Sequence, residues 1–285
     1  MRWQMGRRSD NIEDRRGIGA GGVAVGGGLG TIVLLLVALY LGVDPSVLLQ
    51  GGGPGVSTAP SGVDRPATSP QQDKLKDFVA VVLGDTEDTW RELFSRMGRE
   101  YHEPRLVLFS DVVRSSCGNA QSASGPFYCP VDQKVYLDLS FFRDLRERFR
   151  APGEFAQAYV IAHEVGHHVQ TLLGISEKVR AIQSRSGQRE ANALSVRQEL
   201  QADCFAGVWA NNANRSRQIL EQGDIEQGLN AAAAIGDDRL QRQSQGTVVP
   251  DAFTHGSSAQ RVRWFKRGLD GGDVRQCDTF AAREL

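Results

Sequence analysis

The sequence predicts an α+β protein, with one mainly helical domain that contains a small β-sheet and follows a single transmembrane helix. Residues 17–43 contain no charged side chain. After residue 73, several long segments have apolar residues at three- and four-residue intervals, as amphipathic helices do. Short β-branched and aromatic runs lie between residues 105 and 139 and predict the strands.

The apolar segment 17–43 is predicted to be an uncleaved membrane anchor, because about 20 apolar residues span a bilayer core. Five arginines precede it, and no lysine or arginine follows it before Arg65. This asymmetry predicts a cytoplasmic tail at residues 1–16 and a single-pass protein whose remainder is extracytoplasmic, in the periplasm or outside the cell. A cleaved signal peptide is the alternative, although its apolar region would be only about 7–15 residues long.

Residues 44–72 are rich in Gly, Pro, Ser and Thr, which is typical of a flexible stalk, and residues 73–285 are predicted to form one domain. Four cysteines in an oxidising compartment indicate two disulfides, with three possible pairings. We favour Cys117–Cys129 and Cys204–Cys277. The alternative for Cys204 is a small, buried apolar residue without a disulfide.

Local patterns within the domain predict further elements. Two short helices are expected after residue 73, hinged at Gly84, with Asp85 as the N-cap of the second. Ser140 is expected to cap another helix. The predicted strands are RLVLF, PFYC and KVYLDL, and the last of these is expected to form the edge of a substrate cleft.

The segment IAHEVGHHVQ, residues 161–170, holds three of the five histidines in the chain. His163 and His167 are four residues apart on a predicted helix, so both imidazoles can bind one ion, with Glu164 beside it. This is the H-E-x-x-H arrangement of zinc hydrolases. His168 lies about 100° further round the helix and is expected at the surface or in support of a ligand. His102 is expected to be an exposed histidine without a special role.

A catalytic zinc site needs a third protein ligand, and Glu199 in the helical segment RQELQADCFAGVWANN can supply it. Asp203 lies one turn later and can accept a hydrogen bond from the second nitrogen of a histidine ligand. A solvated acidic helix face is the alternative, but the apolar neighbours favour packing. Arg261 is a candidate partner for a carboxylate near the site.

The HEVGH and ELQAD segments together resemble the glutamate zincins, or gluzincins, and FTHGSSAQRVRWFKRGL resembles a stretch of related membrane-bound peptidases, with Gly256 in place of proline. The whole chain apart from the stalk is most similar to a bacterial family of neutral zinc metallopeptidases. The resemblance implies a zincin-like fold, a peptide or protein substrate and one Zn²⁺ per chain.

The predicted reaction is hydrolysis of peptide bonds by water that zinc activates, with Glu164 as the general base. His255 can donate a hydrogen bond to the developing oxyanion. Alternatively, it only precedes a capping box formed by Ser257 and Gln260.

Two other functions are compatible with the sequence: a zinc-containing adaptor of the cell envelope that binds polypeptides, and an amidase acting on cell-wall peptides. The net charge of −1 provides no basic field for nucleic acid. The predicted partners are therefore the substrate and the lipid bilayer, and the sequence does not define the oligomeric state.

Overall fold

The computed structural model describes residues 1–17, 69–122 and 125–285. Its helices and strands confirm the α+β class. The strands are β1 (Ile12–Asp14), β2 (Arg105–Phe109), β3 (Val112–Ser115), β4 (Gly118–Gln121), β5 (Phe127–Cys129) and β6 (Lys134–Asp138). The helices are α1 (Pro70–Arg96), α2 (Phe141–Glu147), α3 (Glu154–Leu172), α4 (Ile175–Gln183), α5 (Gln188–Arg217), α6 (Asp224–Ala234), α7 (Asp237–Gln245) and α8 (Ser258–Gly271).

The main sheet has the strand order β1-β2-β6-β5. Strands β1, β2 and β6 are parallel, β5 runs antiparallel to β6, and β3 and β4 form a separate hairpin. KVYLDL, predicted to be the edge of the cleft, therefore lies inside the sheet as β6. The edge strand next to β6 is β5, because the neighbouring segment PFYC pairs antiparallel with β6.

Residues 1–16 belong to the domain, which differs from the separate tail that the sequence predicted. Strand β1 pairs in parallel with β2, from Ile12 opposite Leu106 to Asp14 opposite Leu108. Arg16 donates through Nη1 to the backbone oxygen of Gln72, at 3.3 Å. The domain thus consists of residues 1–16 together with the chain from residue 68 onward.

Helix α1 is continuous through Gly84, where a hinge was predicted. A Cβ at Gly84 would come within 2.6 Å of the carbonyl oxygen of Arg7, so glycine serves the approach of the N-terminal segment. Asp85 caps no helix: its carboxylate accepts hydrogen bonds from Trp209 Nε1 at 2.7 Å and Arg217 Nε at 2.5 Å. The sequence pattern does not reveal these tertiary partners.

The core lies between helices α1, α3, α5 and α8. Aromatic rings join the helices in pairs: Trp90 contacts Phe205 edge-on at 5.5 Å, and Phe155 stacks on Trp209 at 5.9 Å. Burial of these large rings stabilises the packing of α1 and α3 against α5. The relative position of these two helices determines the geometry of the site described below.

Both predicted disulfides, Cys117–Cys129 and Cys204–Cys277, are present. The capping box of Ser257 and Gln260 at the start of α8 is confirmed, whereas Ser140 makes no side-chain capping bond to α2.

Most of the predicted anchor (17–43) and stalk (44–72) lies outside the described residues. The end of the predicted stalk is helical, since α1 begins at Pro70. Within the described ranges, no helix combines the length and apolar character needed to cross a membrane.

Candidate metal centre

Helix α3 carries the histidine motif and begins after Gly153, whose φ of 125° is not helical. His163 and His167 project from successive turns, with ring centroids 4.8 Å apart and ring planes at 88°. His163 is 5% exposed and the side chain of His167 is 14% exposed, so both rings are largely inside the protein. Two polar rings at this depth need polar partners.

Helix α5 brings the third side chain to the histidines. Oε2 of Glu199 lies 3.2 Å from Nε2 of His163, and Oε1 lies 3.4 Å from Nε2 of His167. One donor atom from each of the three residues falls within 4.8 Å of the others. The structure therefore brings together the three ligands that the sequence predicted on separate helices.

The close approach of α3 and α5 depends on Gly166, between the two histidines. A Cβ at this position would come within 3.0 Å of the carbonyl oxygen of Ala202 and 3.1 Å of its Cα. Glycine thus allows the backbone of α5 to approach α3 where the ligands meet.

Asp203 lies at the centre of a fully buried cluster behind His163. Its Oδ1 accepts hydrogen bonds from Tyr159 Oη at 2.5 Å and from His163 Nδ1 at 2.8 Å. Arg261 donates from Nε to Oδ2 at 2.8 Å and from Nη2 to Oδ1 at 2.9 Å. The hydrogen bond to Asp203 fixes the proton of His163 on Nδ1 and leaves Nε2 free to bind a cation.

His167 is oriented in the same manner by an uncharged group. Its Nδ1 lies 2.9 Å from Oε1 of Gln170, one turn further along α3. With the Nδ1 proton donated to this oxygen, Nε2 of His167 also faces Glu199. Both imidazoles therefore direct Nε2 to the same position.

The electrostatics of the site favour positive charge between these ligands. Burial by itself lowers the pKa of His163, but Asp203 and Glu199 outweigh it and raise that pKa to about 10. Burial opposes ionisation of Glu199, yet the two histidines keep its pKa well below the ordinary value. Two imidazole nitrogens and one carboxylate are the donors that zinc prefers in catalytic sites with an open fourth position. The residues present fit a zinc ion.

Glu164 and His255 line the same cavity of about 530 Å³ as the three candidate ligands. Burial raises the pKa of Glu164. His255 lies on the loop before α8, with its side chain about half exposed, and its Nδ1 is 3.1 Å from Oδ1 of Asp237. This hydrogen bond raises the pKa of His255, so the protonated ring is favoured.

The other two histidines lie outside this ligand set. His168 is buried, with Nε2 donating to the backbone oxygen of His102 at 2.6 Å and Nδ1 lying 3.1 Å from Tyr128 Oη. These bonds attach α3 to β5 and to the segment before β2. The side chain of His102 is exposed, and only its carbonyl group takes part.

Sequence reasoning did not identify three residues that support the site: Tyr159, Gln170 and Asp237. Tyr159 precedes His163 by about one turn, and Gln170 follows His167 by about one turn. Helical spacing alone could therefore have marked them as neighbours of the two histidines. Their roles depend on partners from other helices. Asp237 accepts hydrogen bonds from the backbone around His255, and no local pattern in the sequence indicates that contact.

Two histidines of an H-E-x-x-H helix and a glutamate from a second helix form a ligand set that zinc-dependent hydrolases use. The chain belongs to the family described as "Putative neutral zinc metallopeptidase", which matches residues 1–280. The match includes the N-terminal segment that forms β1.

Relatives cover nearly the full length of the chain. "Uncharacterized protein YpfJ" of Escherichia coli K12 is 52% identical over 290 residues, which is 98% of this chain and 99% of the relative. "Uncharacterized protein Rv2575" of Mycobacterium tuberculosis H37Rv is 42% identical over 262 residues, or 87% of this chain and 86% of the relative. No solved structure matches the chain.

Proposed function

We propose that this protein is a zinc-dependent peptidase of the gluzincin type, which hydrolyses peptide bonds in polypeptide substrates. The observation that carries the proposal is the meeting of His163, His167 and Glu199 within 4.8 Å, in a cavity that Glu164 also lines. A structural zinc site, in contrast, is usually closed by four protein ligands and needs no neighbouring carboxylate.

Zinc, when bound by these three residues, lowers the pKa of water from about 15.7 towards 7 and polarises the substrate carbonyl. Glu164 takes the proton from the attacking water and passes it to the leaving amine. Glu164 suits both steps by its place, because its buried carboxylate lines the cavity beside the three candidate ligands.

His255 is proposed to stabilise negative charge on the carbonyl oxygen during the attack. Asp237 favours its protonated form through the 3.1 Å hydrogen bond to Nδ1, and the side chain lines the cavity. A charged donor aimed at the developing oxyanion acts more strongly in the transition state than in the ground state.

The substrate is proposed to bind as an extended strand beside β5. Phe127 and Tyr128 of this edge strand line the cavity. Among the described residues, β5 pairs with β6 along one side only, so backbone groups on its other side can pair with a peptide.

We also propose that the apolar segment 17–43 attaches the protein to a membrane, and that the domain lies in the periplasm or outside the cell. The two disulfides support an oxidising compartment. Because β1 pairs with β2, we place residues 1–16 and the domain on the same side of that membrane, in place of the cytoplasmic tail and single crossing that the sequence predicted.

The test compares the full-length protein with Glu164→Gln and the matched control Glu177→Gln, which makes the same chemical change at an exposed position on α4. We expect all three to contain zinc by mass spectrometry. Glu164→Gln should lose at least about 100-fold in kcat on casein, whereas the control should keep full activity.

Cell-wall fragments form a parallel arm of the same experiment. Cleavage of these fragments but not of casein would replace the peptidase with the amidase. Zinc binding without hydrolysis of either substrate would favour the adaptor. Activity that survives in Glu164→Gln would remove this residue from the mechanism.

A further inference from the structure

His167 is held by a chain of two buried amides that leads away from the site. Gln170 is fully buried, and its Oε1 lies 2.9 Å from His167 Nδ1. On its other side, Nε2 of Gln170 donates to the backbone oxygen of Gln198 at 2.7 Å and to Oε1 of Gln201 at 3.1 Å.

The orientation of both side-chain amides is fixed by which of their partners can donate and which can accept. The backbone carbonyl of Gln198 can only accept, so Nε2 of Gln170 must point to it and Oε1 must face His167. Gln201 repeats the arrangement, since its Nε2 donates to the backbone carbonyl of Cys277 at 2.9 Å. A flip of Gln170 would set its amide oxygen against the Gln198 carbonyl and its NH₂ group against the His167 N–H, and a flip of Gln201 would set its oxygen against the Cys277 carbonyl.

The row of hydrogen-bonded amides ends at the disulfide-bonded C-terminal segment. Cys277 is bonded to Cys204, which follows Asp203, the residue that holds His163. Nearby, Thr279 Oγ1 donates to the backbone oxygen of Arg197 at 2.6 Å, so this segment lies along α5. The segment therefore contacts α5 beside the positioning residues of both histidine ligands.

We propose that Gln170 and Gln201 are positioning residues for His167, and that the Cys204–Cys277 disulfide holds them in place and so increases the affinity of the site for zinc. The proposal rests on the zinc site of the proposed function but not on hydrolysis. Fixing an imidazole in the binding orientation before the ion arrives reduces the entropy lost on binding, and supporting residues of this kind typically change metal affinity by about 10–100-fold.

A purely structural role would give a different result. Buried amides and a disulfide both stabilise a fold, and their loss lowers the free energy of unfolding wherever they lie. Zinc affinity changes only if their loss alters the ligand geometry. The two quantities must therefore be measured separately.

The experiment measures the zinc dissociation constant of the full-length protein by competition with a chromophoric chelator. The variants are Gln170→Met, Gln201→Met and the double variant Cys204→Ser/Cys277→Ser. Methionine keeps the approximate volume of glutamine and removes its hydrogen bonds. Unfolding of every variant is followed in excess chelator, which reports stability without zinc.

Two matched controls accompany these variants. Gln227→Met removes an amide that accepts from the backbone N–H of Phe155 at the opposite end of α3, and Cys117→Ser/Cys129→Ser removes the other disulfide. We expect both controls to lose stability but to bind zinc within about twofold of the unaltered protein.

Support for the proposal is a rise in the dissociation constant on the order of tenfold or more for Gln170→Met, with a smaller rise for Gln201→Met and for the disulfide variant. Adding Gln201→Met to the disulfide variant should change the affinity little further, because both act through the same contact. Wild-type affinity in Gln170→Met would overturn the positioning role.

Weakened binding in Gln170→Met, with wild-type affinity in both Gln201→Met and the disulfide variant, would overturn the link to the C-terminal segment. If the disulfide variant does not fold, Gln201→Met alone decides this point. Normal zinc affinity with no hydrolysis would contradict the proposed function and leave the present inference standing.

Discussion

Arg261 donates hydrogen bonds to both carboxylate oxygens of Asp203, with Nε 2.8 Å from Oδ2 and Nη2 2.9 Å from Oδ1. Neither residue is more than 2% exposed. The pair lies directly behind His163, so a buried charge that orients a candidate ligand is neutralised by a residue from α8.

Arg261→Met should destabilise the protein by about 3–5 kcal/mol, because it leaves the Asp203 carboxylate buried without its countercharge. The free energy of unfolding from urea titration measures this effect. Arg275→Met breaks a similar two-pronged contact with Asp273 at the surface, where water solvates both groups, and should leave the unfolding curve nearly unchanged. Equal losses in the two variants would contradict the importance of the buried pair.

Gly166→Ala should lower both stability and zinc affinity. The added methyl group meets the backbone of Ala202, and separating α3 from α5 moves the histidines away from Glu199. We expect a loss of about 1–3 kcal/mol, although alanine is the better helix former. The control is Gly187→Ala, where a Cβ would meet no atom of the described residues within 4 Å. Unchanged zinc affinity in Gly166→Ala would show that the helix separation does not limit the site.

His168→Gln should remove part of the acid sensitivity of the fold. Burial lowers the pKa of His168 to about 4, so between pH 4 and 6.5 the unfolded chain binds more protons than the folded one. The neutral ring thus contributes stability that is complete above about pH 6.5 and is lost as the pH falls towards 4.

Between pH 7 and pH 5, the free energy of unfolding should therefore fall by about 2 kcal/mol less in His168→Gln than in the unaltered protein. Urea titrations at both pH values measure the difference. His102→Gln, with an exposed side chain, should keep the full pH dependence. A slope in His168→Gln as steep as that of the unaltered protein would exclude His168 as its source.

Single cysteines test the proposed membrane arrangement. Met5 is 99% exposed and Val249 is 49% exposed, and the four native cysteines are paired in disulfides. Met5→Cys and Val249→Cys should react with a membrane-impermeant maleimide in the same orientation of sealed vesicles. Reaction in opposite orientations would mean that residues 1–16 and the rest of the domain lie on opposite sides of the membrane. Absence of the protein from washed vesicles would contradict attachment.

Local spacing made much of the site predictable. His163 and His167, like Glu199 and Asp203, are four residues apart, and in each pair a single helix places both side chains on the same face. That the two helices would face each other was inferred from the resemblance to known zinc peptidases and from the chemistry of the ligands. The apolar periodicity around the histidines predicted α3 because nearly every turn of that helix is buried.

The differences from prediction arise from contacts between distant parts of the chain. Gly84 resembles a helix break, yet its role is to admit the carbonyl group of Arg7. Residues 1–16 resemble a basic tail because β1 is only three residues long and its partner β2 begins at Arg105. A short strand with a distant partner leaves almost no periodic signal.

The N-terminal strand also determines which fragments of this protein can be studied. A recombinant fragment starting at residue 69 would uncover one side of β2, whose Leu106 and Leu108 are fully buried. Glu87 would lose the hydrogen bonds that its carboxylate accepts from Arg7, Ser9 and Asn11. An open sheet edge promotes aggregation, and the loss of these hydrogen bonds lowers the stability of the domain. Expression should therefore retain the first sixteen residues, for example by joining them to residue 69 through a short linker.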